Sequence, residues 1–184
     1  HRESRGLGDV YKRQTQDHLD YHKTFEAYFD AKMRLFTRLL PDDGVAVVNI
    51  DDPRGFEVVQ LAQNRGLEII TVGRHPASLL KLTGQRFDST GQEIFFDWQN
   101  GSHKARLNLI GGFQADNVLL AVALVIAAGG DPEVAFNTLP YLSTVRGRMH
   151  HAATRRNGGS VFVDYAHTPD AVATALISMR RHVT

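Results

Sequence analysis

Val45–Val72 reads VAVVNIDDPRGFEVVQLAQNRGLEIITV. Val45 to Asn49 is a continuous apolar run, Leu67 to Val72 reads as a second buried strand, and Gly55 to Arg65 between them has the pattern of a short helix. Apolar runs without alternation suit strands covered on both faces. Strand, helix, strand at this spacing predicts a βαβ unit with its two strands parallel. The expected fold class is therefore α/β.

Working outward, Thr24 to Leu40 predicts a helix, with Phe25, Tyr28, Phe29, Lys32, Leu35, Phe36 and Leu39 on one face. Pro41-Asp42-Asp43-Gly44 ends it. On the other side, Leu82 to Leu109 is more polar. Alternation in Glu93–Trp98 and Lys104–Leu109 predicts antiparallel strands, with turns near Gly91 and Asn100-Gly101. Asp116 to Ala128 is a strongly apolar helix, and Asp131-Pro132 starts another towards Leu139. Further on, Ser160 to Asp164 reads as a buried strand. Pro169 to Arg181 reads as a helix with Val172, Ala175, Leu176 and Met179 as its apolar positions. A single strand and helix cannot cover both their faces, so this pair is expected to open a further domain.

The 184 residues include 21 Lys and Arg against 20 Asp and Glu, a net charge of +1. That balance gives no electrostatic footprint for nucleic acid. With no Cys, the chain has neither disulfides nor thiolate chemistry. The apolar run Val118–Ala128 falls short of the ~20 residues that span a bilayer. A cytoplasmic location without membrane insertion is the expectation. Residues 1–14, HRESRGLGDVYKRQ, are polar and aperiodic and read as a leader outside the fold, either non-native or a disordered natural terminus.

Three clusters could carry chemistry. Asp17-His18-Leu19-Asp20-Tyr21-His22 gathers carboxylates and imidazoles that suit a divalent ion, or a solvated turn that caps the helix. Lys32 falls on the apolar face of that helix, where an ammonium group must pair, snorkel to water or lose its charge. A neutral amine can take up carbon dioxide, and the carbamate so formed is an anionic oxygen ligand. Gly111-Gly112-Phe113-Gln114-Ala115-Asp116-Asn117 opens the apolar helix. The glycines permit close approach, and Asn117 could match the donor–acceptor edge of adenine or simply cap. Arg146-Gly147-Arg148-Met149 and Asp164-Tyr165-Ala166-His167-Thr168-Pro169-Asp170 form the third. A strand-end Asp, a loop His and a permanently charged Arg suit a nucleotide at the carboxyl edge of a sheet.

Taken in order, DHLDYH, Ala31-Lys32, VVNIDDP, GGFQADN, GRM and DYAHTPD resemble the Mur ligases, most of all the branch that adds the third amino acid of the peptidoglycan stem. The resemblance runs from about Thr15 to the last residue. It implies that residues 15–144 are the later part of a central ATP-binding domain and 145–184 the start of a Rossmann-like C-terminal domain. The implied sheet is mostly parallel with a small antiparallel section. The implied reaction is ATP-dependent amide-bond formation through an acyl-phosphate, on UDP-MurNAc-L-Ala-D-Glu and a free amino acid such as diaminopimelate or lysine, with Mg2+ as the charge-neutralising ion.

The resemblance also assigns roles. His18 is the imidazole ligand of magnesium, and Lys32, as a carbamate, helps to hold the metal. Asn117 contacts adenine, Arg148 the nucleotide and Asp164 the ribose, while His167 lies near the phosphates. Gln114 departs from the family, which usually has Asn there; His150 and Lys23 also depart from its usual residues. No G-x-x-x-x-G-K-[ST] occurs in the chain, so a phosphate-cradling loop is expected outside it. By itself the chain is expected to be catalytically inert. Other readings are a sibling ligase such as a folylpolyglutamate synthase, a non-catalytic nucleotide-binding module, or a metal-dependent hydrolase built on DHLDYH.

Overall fold

The structure is a computed structural model that describes residues 24–182. Residues 1–14 and the DHLDYH cluster with His18 lie outside the described residues. The elements are α1 (Phe25–Arg34) with a π-helical turn (Leu35–Leu39), β1 (Val45–Asn49), α2 (Gly55–Asn64), β2 (Glu68–Gly73), β3 (Leu80–Asp88), β4 (Gly91–Trp98), β5 (Gly101–Leu107), α3 (Phe113–Ala127), α4 (Pro132–Thr138) with a 3-10 turn (Leu139–Tyr141), β6 (His150–Thr154), β7 (Ser160–Val163) and α5 (Pro169–Arg180).

The expected βαβ unit is present: β1 and β2 pair in parallel from Val45↔Glu68 to Asn49↔Val72. One sheet in the order β1-β2-β3-β4-β5 holds both the parallel and the antiparallel sections. β3 joins β2 in parallel through Val72↔Leu80 and Gly73↔Lys81, then turns back as an antiparallel meander with β4 and β5. Period-two geometry explains the continuous apolar run of β1. Ala46 and Val48 face a core made with Phe29, Met33 and Phe36 of the first helical segment and Val58 and Ala62 of α2. Val47 faces the other way, into a core shared with Val118, Leu119 and Val122 of α3 and Phe136 of α4. The β3–β5 meander continues only the second core, through Leu82, Ile94, Phe96 and Leu107.

Three expectations change. The first helix follows an α path only to Arg34; the π turn closes with Leu40 N–H donating to Leu35 O at 2.9 Å. Met33, in the α part, is buried with Phe29 and Phe36, whereas Leu39, inside the π turn whose extra residue shifts the phase of the face, is exposed. The segment Ser160–Asp164 is not buried: β7 is largely exposed and pairs antiparallel with β6, which the sequence reading did not foresee. Leu80–Asp88 is a full strand, because Leu80 and Leu82 alternate inward on the β2 edge. α5 forms as expected, with Thr168 Oγ1 accepting from Ala171 N–H at 3.3 Å, and Val172, Leu176 and Ile177 remain exposed.

Candidate functional site

Asp51, just beyond β1, accepts from Arg74 N–H at 2.8 and 2.7 Å and from His75 N–H at 2.9 Å, beyond β2. Gly73 permits this approach: a Cβ there would lie 2.6 Å from Asp51 Oδ1. Arg74 then reaches across to α3, donating to Asp116 at 2.6 Å and to Gln85 of β3 at 2.8 Å. The carboxyl edge of the parallel strands is thereby tied to the helix that carries Asn117.

Gly111 and Gly112 lie in front of α3. Gly111 has φ +106°, a conformation open to glycine, and an added Cβ would meet the Phe113 ring at 2.8 Å. Beneath the turn, Gln92 of β4 is fully buried; it donates to Gly111 O at 2.8 Å and accepts from Gln85 at 2.7 Å. Gln85 also donates to Gly112 O at 2.9 Å. α3 has no side-chain cap, so this amide pair and the turn's own carbonyls fix its entry. Asn117, half-buried in the first turns of α3, donates to Gln114 Oε1 at 3.3 Å. The longer Gln114 amide thus finds a partner on the same helix face.

The third cluster converges on Asp164. Its carboxylate accepts from Met149 N–H at 2.8 Å and from Ala166 N–H at 2.8 Å, fastening the Arg146–Met149 turn to the Asp164–Thr168 loop. Tyr165 N–H donates to Gly147 O at 2.8 Å across the same junction. Met149, 1% exposed, anchors the turn. Arg148 is exposed, with its guanidinium carbon 5.8 Å from the Tyr165 ring centre, and His167 is exposed, with Nδ1 2.9 Å from Tyr165 O. The structure therefore brings Arg148, Asp164 and His167 together, while Asn117 belongs to the separate Gly111 turn.

Lys32 is half-buried, with Nζ 3.9 Å over the Tyr28 ring. An ammonium so placed gains a cation–π contact and supplies no oxygen ligand. Among the described residues no group of three or more His, Asp or Glu could hold a metal ion. The described residues therefore do not make a magnesium site on their own.

Arg74, Gln85, Gln92 and Asp51 escaped the sequence reading. A signal existed for Gln92: it starts the alternation Gln92, Ile94, Phe96, Trp98, and a polar residue in phase with a buried face must find partners.

Residues 12–125 match the Mur ligase middle domain. The chain is 44% identical over 168 residues to the UDP-N-acetylmuramoyl-L-alanyl-D-glutamate--2,6-diaminopimelate ligase of Zymomonas mobilis, covering 91% of this chain and 34% of that one. It is 39% identical over 168 residues to the same-named ligase of Caulobacter vibrioides, with 91% and 34% coverage. A solved structure of a ligase of that name superposes with a TM-score of 0.77 at 32% identity, over 92% of this chain and 34% of the other. The chain spans about a third of the length of these relatives. With the middle-domain match covering more than half of its residues, and with the sheet, the Gly111 turn and the Asp164 junction in place, the chain belongs to the Mur ligase family.

Proposed function

We propose that this chain serves an ATP-dependent ligase that joins the third stem residue to UDP-MurNAc-L-Ala-D-Glu in the cytoplasm, and that diaminopimelate is that residue. The observation that carries the reading is its 44% identity over 91% of the chain to a ligase of that name. Residues 15–144 belong to the central ATP-binding domain and 145–184 to the start of the amino-acid-binding domain. Because the chain spans a third of its relatives, turnover requires a chain of their length.

In the proposed reaction the terminal carboxylate of the D-Glu residue attacks the γ-phosphorus of ATP, giving an acyl-phosphate and ADP. The amine of diaminopimelate then attacks the acyl carbon, expels phosphate and loses a proton to leave the amide. Such transfers depend on positioning and charge neutralisation. Asn117 presents an amide donor and acceptor to the adenine edge. Asp164 uses two of its roughly four acceptor positions on Met149 and Ala166, which leaves acceptor capacity for a ribose hydroxyl. Arg148 supplies a permanent positive charge to the nucleotide. His167 lies on the loop that leads into α5, beside the proposed phosphate position. His18 and Lys32, the latter as its carbamate, are the proposed magnesium ligands; when bound, the ion would neutralise charge on phosphate and acyl oxygens.

The experiment is product analysis with a chain of the relatives' length. Diaminopimelate should give the UDP-MurNAc-tripeptide, Lys32→Ala should abolish turnover, and short carboxylates should rescue it. Lysine accepted in preference to diaminopimelate refutes the substrate assignment, and an unaffected Lys32→Ala refutes the role of Lys32.

A further inference from the structure

The Gly111–Gly112 turn is held from two sides, and only one of them belongs to the sheet. Gln92 and Gln85 take its carbonyls from below. Its remaining buried donor, the Gly111 N–H, points to His182, 71 residues away and just past the end of α5, at 2.9 Å from Nε2. Nε2 therefore accepts, and Nδ1, 2.8 Å from Asp88 O at the end of β3, carries the proton. The imidazole is 8% exposed and stands edge-on to Phe87, 5.1 Å between ring centres. A neutral ring with one donor and one acceptor satisfies both backbone groups at once.

Consecutive glycines form the most flexible backbone available, and a turn already fixed before binding loses less entropy when a ligand docks. α5 begins at the end of the Asp164–Thr168 loop and ends at Arg180, two residues before His182. Its 12 residues make a strut of about 18 Å between the two candidate nucleotide-binding clusters. We propose that His182 is a positioning residue for nucleotide binding: it fixes the Gly111–Gly112 turn from α5, and through it the start of α3 that bears Asn117. The nucleotide role rests on the ligase reading above; the contact itself does not.

The test has two arms. In the full chain labelled with 15N, the His182 ring should give the signature of the Nδ1–H tautomer with an unprotonated Nε2. His182→Ala should speed exchange of the Gly111 amide about tenfold or more while Val48 in β1 keeps its protection. His182→Gln, which can offer an amide oxygen to Gly111 and an N–H to Asp88, should restore most of it. In a ligase of the relatives' length, His182→Ala should raise the KM for ATP about tenfold with kcat within about twofold, and His182→Gln should reverse this. An Nε2–H tautomer, or Gly111 exchange indifferent to His182→Ala, overturns the contact. An unchanged KM for ATP in an active ligase overturns the positioning role. Wild-type enzyme without ATP-dependent ligation overturns the ligase reading and the nucleotide role together, while the exchange arm still decides the contact.

Discussion

Gln92, wholly buried in β4, donates to the carbonyl of Gly111 at 2.8 Å, so the antiparallel meander supports the turn that opens α3. Replacing that amide by an apolar side chain of similar size removes the bond and also leaves Gln85 with an unmatched donor. Gln92→Leu should destabilise the fold by about 1–3 kcal/mol, since a buried polar group left unpaired keeps its desolvation penalty. Urea unfolding measures this, and a midpoint equal to that of the wild type would contradict it.

Gly111→Ala attacks the same turn from its backbone. The position has φ +106° and the added methyl meets the Phe113 ring at 2.8 Å. The expected loss exceeds about 1 kcal/mol, because alanine is incompatible with this conformation. Thermal unfolding of the variant should show a lowered Tm; an unchanged or raised Tm would mean that the turn relaxes freely.

Asp164→Ala should loosen the junction between the Arg146–Met149 turn and the loop before α5. Hydrogen exchange at Met149 and Ala166 should quicken together, because both N–H groups lose the same acceptor. Asp164→Asn keeps one carbonyl oxygen and should expose Met149 or Ala166, not both. Independent behaviour of the two amides in Asp164→Ala would show that the carboxylate does not join them.

Acid sensitivity has an identifiable contributor. The Arg106 guanidinium, together with the backbone N–H and hydroxyl of Thr90, holds the Asp88 carboxyl far below the usual carboxylate range. A folded-state value depressed in this way contributes stability above the unfolded value of about 3.9, and loses it as pH falls towards the folded value. The pair is half-exposed, so its contribution is expected to stay below about 1 kcal/mol. Asp88→Asn should therefore be slightly less stable than the wild type at pH 7 and converge with it in strong acid. A constant difference across that range would contradict the account.

Much of the fold was legible in residues 45–72, because two short, mostly apolar stretches flanking a helical segment suit neighbouring strands of a covered sheet, and a helical crossover between them favours parallel pairing. The meander was legible in part: Glu93–Trp98 alternates clearly, but Leu80–Asp88 contains Thr83, Gly84 and Gln85, which dilute the pattern across a register shift at Leu82/Gly84. The π turn at Leu35–Leu39 could not be read from a 3.6-residue period, and Leu39 within it is exposed instead of joining the apolar face. Exposed β7 looked buried because Val161, Phe162 and Val163 form an apolar run whichever way they face. At the site, the clustering of Arg148 with Asp164 and His167 followed from a strand end and its loop. Partners distant in sequence, such as Arg74 with Asp116 or His182 with Gly111, leave no local pattern.

The central claim is that the chain serves ATP-dependent ligation. ADP release by a chain of the relatives' length, measured with UDP-MurNAc-L-Ala-D-Glu and diaminopimelate each present or omitted, tests it most directly. Sustained ADP formation is expected only when both are present, and none from the 184-residue chain by itself. ADP formation that ignores both substrates, or sustained turnover by the 184-residue chain, would contradict it.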